Sequence, residues 1–262
     1  MAGCRRCICH FGSMGAMWTP SPGWHATHRQ TISGGGSGWF PPGGRPGARR
    51  RRRSWPWPAW EATAKVGGVI RALLGGTFDP PHLAHLALAE AAYRQLGVSA
   101  VEFIPTGVPW WKPSPPPTAA HHRLEMVKRA TEGVSYFTVN DCETRRDGPS
   151  YMADTLETFP SRDEIYLVLG SDAAQGLRSW MRWEEVARRV RLAVALRPGT
   201  DASTVEEAVG ESPVWLDCPP MAISSRQVRL RIRAGESIRR LVPGGVWEYI
   251  AENRLYASPE GL

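Results

Sequence analysis

Two histidines three residues apart, His82 and His85, follow a pair of glycines, Gly75 and Gly76, in the run Gly75-Gly76-Thr77-Phe78-Asp79-Pro80-Pro81-His82-Leu83-Ala84-His85-Leu86. Glycines let a backbone approach a phosphate closely. A helix start offers unpaired N–H groups and the positive end of the helix dipole. Imidazoles at this spacing share one helical face. Together they suit holding a polyphosphate and stabilising charge on it. A metal pair is the competing reading, but no further His, Cys or Asp follows at ligand spacing.

The elements around this run fit that chemistry. The apolar segment from Val69 to Leu74 reads as a buried strand, and Leu83 to Leu96 as a helix stopped by Gly97. Strand and helix signals alternate thereafter. Strands are expected at 101–105, 136–140, 165–169, 192–196 and 214–216. Helices are expected at 119–130, with a basic exposed face, and at 151–159, 183–190, 225–234 and 243–253. Apolar strands between helices predict a doubly wound, Rossmann-like parallel sheet covered on both faces, with a small C-terminal helical part. Ligands in such sheets sit at the carboxyl ends of the strands. Here those ends carry Gly75-Gly76 and Gly170-Ser171-Asp172.

The chain has 262 residues and a formal charge of +7, concentrated at one end. Residues 1–66 hold ten Lys/Arg against one acidic residue, while the remainder is near neutral with 22 basic and 24 acidic residues. Residues 11–60 are rich in Gly, Pro, Ser, Trp and Arg and have no helical or strand period, a composition expected of a disordered extension. A basic arm for nucleic acid and a targeting peptide are the other readings of this segment. The expected working domain is 67–257, with translation beginning near Val66 or Val69, and 258–262 is a tail. The five cysteines do not form a disulfide framework and fit a reducing, cytoplasmic setting. Cys4, Cys7, Cys9 and His10 have no second half-site for zinc. No run approaches the ~18 apolar residues of a membrane span.

The twelve-residue run resembles the GG(T/S)FDPxHxGH signature of nucleotidylyltransferases, with Ala84 at the usual second glycine. Further segments, in order, resemble bacterial nicotinate-nucleotide adenylyltransferases. They are the Trp110-Trp111-Lys112 loop, Gly148-Pro149-Ser150-Tyr151-Met152 with Met152 at a usual Thr, and Gly170-Ser171-Asp172. The Ser179-Trp180 approach, Arg197-Pro198-Gly199 and Ile223-Ser224-Ser225-Arg226-Gln227-Val228-Arg229, with Arg226 at a usual Thr, follow. The resemblance covers about residues 69–256. It implies transfer of the adenylyl group of ATP to nicotinate mononucleotide, giving deamido-NAD and pyrophosphate, with Mg²⁺ accompanying ATP and no metal held by the protein itself.

On that resemblance His82 and His85 are catalytic. Gly75, Gly76, Thr77, Phe78, Gly170, Asp172, Arg197, Ser224, Ser225 and Arg229 bind ATP, and Asp172 also borders the second nucleotide. Lys112, Ser150, Tyr151, Met152, Thr155 and Trp180 bind the nicotinate nucleotide, while Trp183 is core. No membrane or nucleic-acid partner is expected, and a homo-oligomer is left open. The alternatives are a sister adenylyl- or cytidylyltransferase acting on nicotinamide mononucleotide or phosphopantetheine, and a nucleic-acid-binding protein using the basic arm.

Overall fold

The computed structural model describes residues 68–257 apart from 112, 113 and 211. The expectations for residues 1–66 and the tail, and the role of Lys112, lie outside the described residues.

Strand β1 (Ile70–Gly76) leads into helix α1 (Leu83–Leu96), and β2 (Val101–Pro105) follows. After them come the short β3 (Val108–Pro109), helix α2 (Ala120–Thr131), β4 (Phe137–Val139), the short β5 (Pro149–Ser150) and α3 (Met152–Glu157). The second half holds β6 (Glu164–Gly170), α4 (Ser171–Gln175), a 3₁₀ turn (Leu177–Ser179), α5 (Trp183–Arg189) and β7 (Arg191–Ala195). Helix α6 (Ala202–Val209), β8 (Val214–Trp215), α7 (Ser225–Arg233) and α8 (Gly244–Glu252) complete the described chain.

The main sheet has the order β4-β2-β1-β6-β7-β8, and every pairing in it is parallel. The chain winds outward from β1 to β4, returns to lay β6 beside β1, and winds the other way. The switch point therefore lies between β1 and β6, where a crevice opens at the strand ends. Alternation along the strands feeds two cores. Leu73, Ile104 and Leu167 pack on one face with Trp183 and Val186, whereas Ala72, Leu74, Phe103 and Val168 pack on the other with Ala89 and Ala92. A third apolar cluster joins α2 to α7 and α8 through Met126, Val228, Val246 and Ile250. This is the C-terminal helical part expected from the sequence.

The structure corrects one expectation about α2. Its basic residues are not all on an exposed face, since Arg123 is 1 % exposed and among the largest fully buried side chains. Sequence reasoning also passed over α4, α6 and the two-stranded β3–β5 ladder. For α6 the signals were present: Asp201 caps its start by accepting from the Ser203 N–H at 3.0 Å, and Gly210 ends it in the left-handed region.

Candidate active site

The glycine turn at the end of β1 is shaped by what lies over it. A side chain at Gly76 would meet the ring of Phe78 at 3.2 Å, and Phe78 itself sits at φ +49°. That backbone buries the Phe78 ring edge-on to His85, 5.0 Å between centroids, and against Phe103. Phe78 is thus a core residue that shapes the turn.

His82 stands at the N-cap of α1 and His85 one turn in. Their rings stack with centroids 3.7 Å apart. The backbone N–H of His82 donates to Nδ1 of His85 at 3.1 Å, so the neutral His85 ring carries its proton on Nε2. His82 is 2 % exposed, and among the described residues its buried Nδ1 has no hydrogen-bond partner. Burial, aided by the nearby Arg197 cation, pushes the His82 imidazole down to about 4. Burial, then His82 and Arg197, also lowers His85. Both rings are therefore uncharged at neutral pH until an anion arrives.

The loop carrying these residues is clamped from the C-terminal part. Arg229 Nη1 donates to the Asp79 carbonyl at 2.6 Å and Ser225 Oγ to the Pro80 carbonyl at 2.8 Å. The Tyr256 hydroxyl donates to the Asp79 carboxylate at 2.6 Å, and the Thr118 N–H to its other oxygen at 3.3 Å. Ser224 caps α7, accepting from the Gln227 N–H.

Two cavities open on either side of the switch point. One of about 250 Å³ is lined by His82, His85, Gly170, Arg197, Cys218 and Met221, among others. The other, of about 470 Å³, is lined by Trp110, Trp111, Glu143, Ser150, Met152 and Trp180, among others. They share Gly75, Gly76, Leu169, Asp172 and Ala173. Above this shared floor Arg197 and Asp172 form an ion pair at 2.9 Å, and the Arg197 N–H donates to Ser171 Oγ. The wall of the larger cavity is polar behind its aromatic face. Ser150 Oγ accepts from the Gly107 N–H at 3.0 Å, and Thr155 Oγ1 donates to Glu143 at 2.7 Å. Burial raises the Glu143 carboxyl, opposed by the Thr155 and Ser150 hydroxyls and by Arg146 and Arg123.

A histidine-lined cavity and an aromatic cavity share one floor, and comparison with known proteins places the chain in a family. The family model of cytidylyltransferase-like proteins matches residues 73–231. A probable nicotinate-nucleotide adenylyltransferase of Dehalococcoides mccartyi (strain CBDB1) is 40% identical over 194 residues, covering 70% of this chain and 95% of the relative. One of Bordetella pertussis is 38% identical over 200 residues, covering 72% and 99%. This chain belongs to the nicotinate-nucleotide adenylyltransferase family. The Plasmodium falciparum nicotinic acid mononucleotide adenylyltransferase solved with NaAD shares the fold, with a TM-score of 0.60 at 19% identity over 72% of this chain and 97% of that one.

Against the family pattern, the described residues sort by place. His82, His85, Gly75, Gly76, Gly170, Asp172 and Arg197 line the smaller cavity, and Thr77, Ser150, Met152 and Trp180 the larger. Asp172, Gly75 and Gly76 belong to both. Thr155 is fully buried behind the wall, and Tyr151 is the N-cap of α3. Ser225 and Arg229 are engaged with the motif loop. Trp183 is core, as expected. Sequence reasoning missed Glu143, Arg123 and Tyr256. The first two sit among polar neighbours with no pattern of their own, and only the tertiary contacts reveal them.

Proposed function

We propose that this chain transfers the adenylyl group of ATP to nicotinate mononucleotide, giving deamido-NAD and pyrophosphate. The observation that carries this reading is the pair of cavities meeting at Gly75, Gly76 and Asp172, one with two stacked histidines and the other with Trp180, Trp110 and Ser150. The names of the relatives support the same pair of substrates. A phosphate oxygen of the mononucleotide forms a bond to the α-phosphorus of ATP, and the bond from that phosphorus to the bridging oxygen breaks. The electron pair leaves on pyrophosphate. The attacking oxygen is already anionic, so no base is required, and catalysis rests on alignment and on stabilising the leaving group.

His85 serves through Nε2–H, and His82 through its imidazole once the triphosphate raises its proton affinity. Arg197 can exchange Asp172 for a phosphate oxygen. Ser224, Ser225 and Arg229 act by holding the motif loop in place and by presenting the start of α7. Trp180 offers a face for the pyridine ring, and the amides near Ser150, Tyr151 and Met152 suit its carboxylate. Among the described residues no group of three or more His, Cys, Asp or Glu could hold a metal ion. Mg²⁺ enters this proposal with the ATP phosphates, whose charge it would offset. Among the same residues no helix is long and apolar enough to cross a membrane, and we propose a cytoplasmic enzyme that needs no nucleic acid.

The test is pyrophosphate release from ATP, with nicotinate or nicotinamide mononucleotide as acceptor. Release with the acid form, at a kcat/KM at least ~10-fold above the amide, is expected if paired amides read the carboxylate. Absence of release with both would refute the function. Equal use of both would refute the acid preference.

A further inference from the structure

Arg123 is a buried cation that the reaction as proposed does not use. It lies in the first turn of α2, and every donor it directs at the protein meets a backbone carbonyl. Nε donates to Thr118 at 2.7 Å, Nη1 to Thr77 at 2.9 Å and to Thr106 at 2.5 Å, and Nη2 to Gly107 at 2.6 Å. Among the described residues no carboxylate is hydrogen-bonded to it. Burial opposes its charge, while Asp79, Tyr256 and Glu143 favour it from a distance. Burying a guanidinium without a bonded counter-ion is costly, and tying down a loop does not require a charge.

Apart from Thr118, just ahead of its own helix, the carbonyls it gathers come from two loops on one side of the switch point, those after β1 and β2. Thr77 belongs to the turn after β1, which carries the motif. Thr106 and Gly107 belong to the loop after β2, which backs the aromatic cavity. In a trans peptide the N–H points opposite the C=O. Drawing these oxygens onto one planar fork therefore turns the N–H groups of Phe78, Gly107 and Val108 to the side away from Arg123. For Gly107 the result is visible, because its N–H meets Ser150 Oγ in the wall of the larger cavity. The fit is close: a side chain at Gly107 would stand 2.1 Å from the Glu143 carbonyl oxygen. The two loops are also joined directly, as the Thr106 N–H donates to the Gly76 carbonyl at 2.9 Å.

We infer that Arg123 is a positioning residue that holds the motif turn in register with the loop behind the aromatic cavity, so that the mononucleotide phosphate and the α-phosphorus of ATP meet in line. This rests on the adenylyl-transfer reading above. Its signature is a loss in turnover rather than in the binding of either substrate alone, since small misalignments of bound reactants cost rate steeply. A lysine keeps the charge but offers a point donor instead of a fork. A methionine keeps the stem volume and removes the buried charge.

The experiment uses the full chain with Arg123→Lys and Arg123→Met. It measures kcat, the Kd of ATP and of nicotinate mononucleotide each alone by calorimetry, and Tm. The expected result, in variants that melt well above the assay temperature, is a kcat lowered roughly 10- to 100-fold with each Kd within about threefold of wild type. A folded variant with unchanged kcat overturns the inference, as does a loss that falls entirely on the Kd of one substrate. Wild type that releases no pyrophosphate refutes the adenylyl-transfer reading instead. If neither variant folds, amide exchange in the wild type decides. A non-hydrolysable ATP analogue alone should slow exchange at 106–108 as well as at 77–79, and unchanged exchange at 106–108 overturns the inference.

Discussion

The two cavities are built in different ways. The histidine wall of the smaller one comes from a single stretch, since the glycine turn, His82 and His85 lie within eleven residues of one another, while Gly170, Arg197, Cys218 and Met221 complete it from later segments. The larger is assembled from loops after β2, β4 and β6, whose contributing residues run from Thr106 to Trp180. The side proposed to handle phosphates thus has a locally encoded kernel, a strand, a turn and a helix start. The side proposed to choose the acceptor is encoded by packing between distant segments. The first can be conserved as a unit across many substrates, while the second can change one loop at a time.

Breaking the local side should have the largest effect. His85→Ala removes the donor whose tautomer is set by the His82 N–H. It should lower kcat at least ~10²-fold while the fold persists, as deletions of oxyanion-stabilising donors do. Steady-state kinetics with a melting curve checks this, and a folded variant of normal kcat removes His85 from the mechanism. The same side carries a pH signature. The unfolded chain protonates His82 near 6.5, whereas the folded chain does so only near 4. Stability is therefore fully present above pH ~6.5 and declines as the pH falls toward 4, by roughly 3 kcal/mol from this residue. Melting curves from pH 7.5 to 4.5 should show the decline, and His82→Asn should flatten much of it. An unchanged slope would mean that His82 is not the buried neutral group responsible.

The distributed side should respond in binding instead. Trp180→Ala deletes a ring face, and base-on-aromatic stacking is worth ~1–3 kcal/mol, so the KM for the mononucleotide should rise about tenfold. The KM for ATP should stay within about twofold, because Trp180 lies outside the smaller cavity. A matching rise for ATP would contradict the separation of the two cavities.

What could be read from the sequence follows the same division. Alternating strands and helices, the Gly97 stop and the glycine-histidine run are local signals, and they led to the sheet, the switch point and the family. Short motifs singled out Trp180 and Ser150, which line the larger cavity. Arg123 was not, because a lone arginine on an amphipathic helix looks like a solvated face, and only the carbonyls of three other segments make it a buried fork. Glu143 was hidden for the same reason, since its partners Thr155 and Ser150 lie in a different element. The reading of Ser225 and Arg229 was local too. It could not foresee that the loop's own carbonyls, at Asp79 and Pro80, engage them.

Met152 is where the local and distributed sides touch. Its Cε is the atom nearest to a side chain built at Gly75, at 3.0 Å, so the thioether lies over the shared floor. The family pattern has Thr here, and a hydroxyl could serve the acceptor's carboxylate directly. If backbone amides do that work, the side chain only fills space, and its flexible end adapts to whatever lies beside it. Met152→Thr should then change the KM for nicotinate mononucleotide by no more than about threefold, the size expected for a lost apolar contact at a half-buried position. It should leave the KM for ATP unchanged. A tenfold improvement in use of the acid over the amide form would instead assign the carboxylate to a hydroxyl that this chain lacks. Selectivity would then depend on one side chain in the wall rather than on the direction of its peptides, and the distributed side would be less distributed than its geometry suggests.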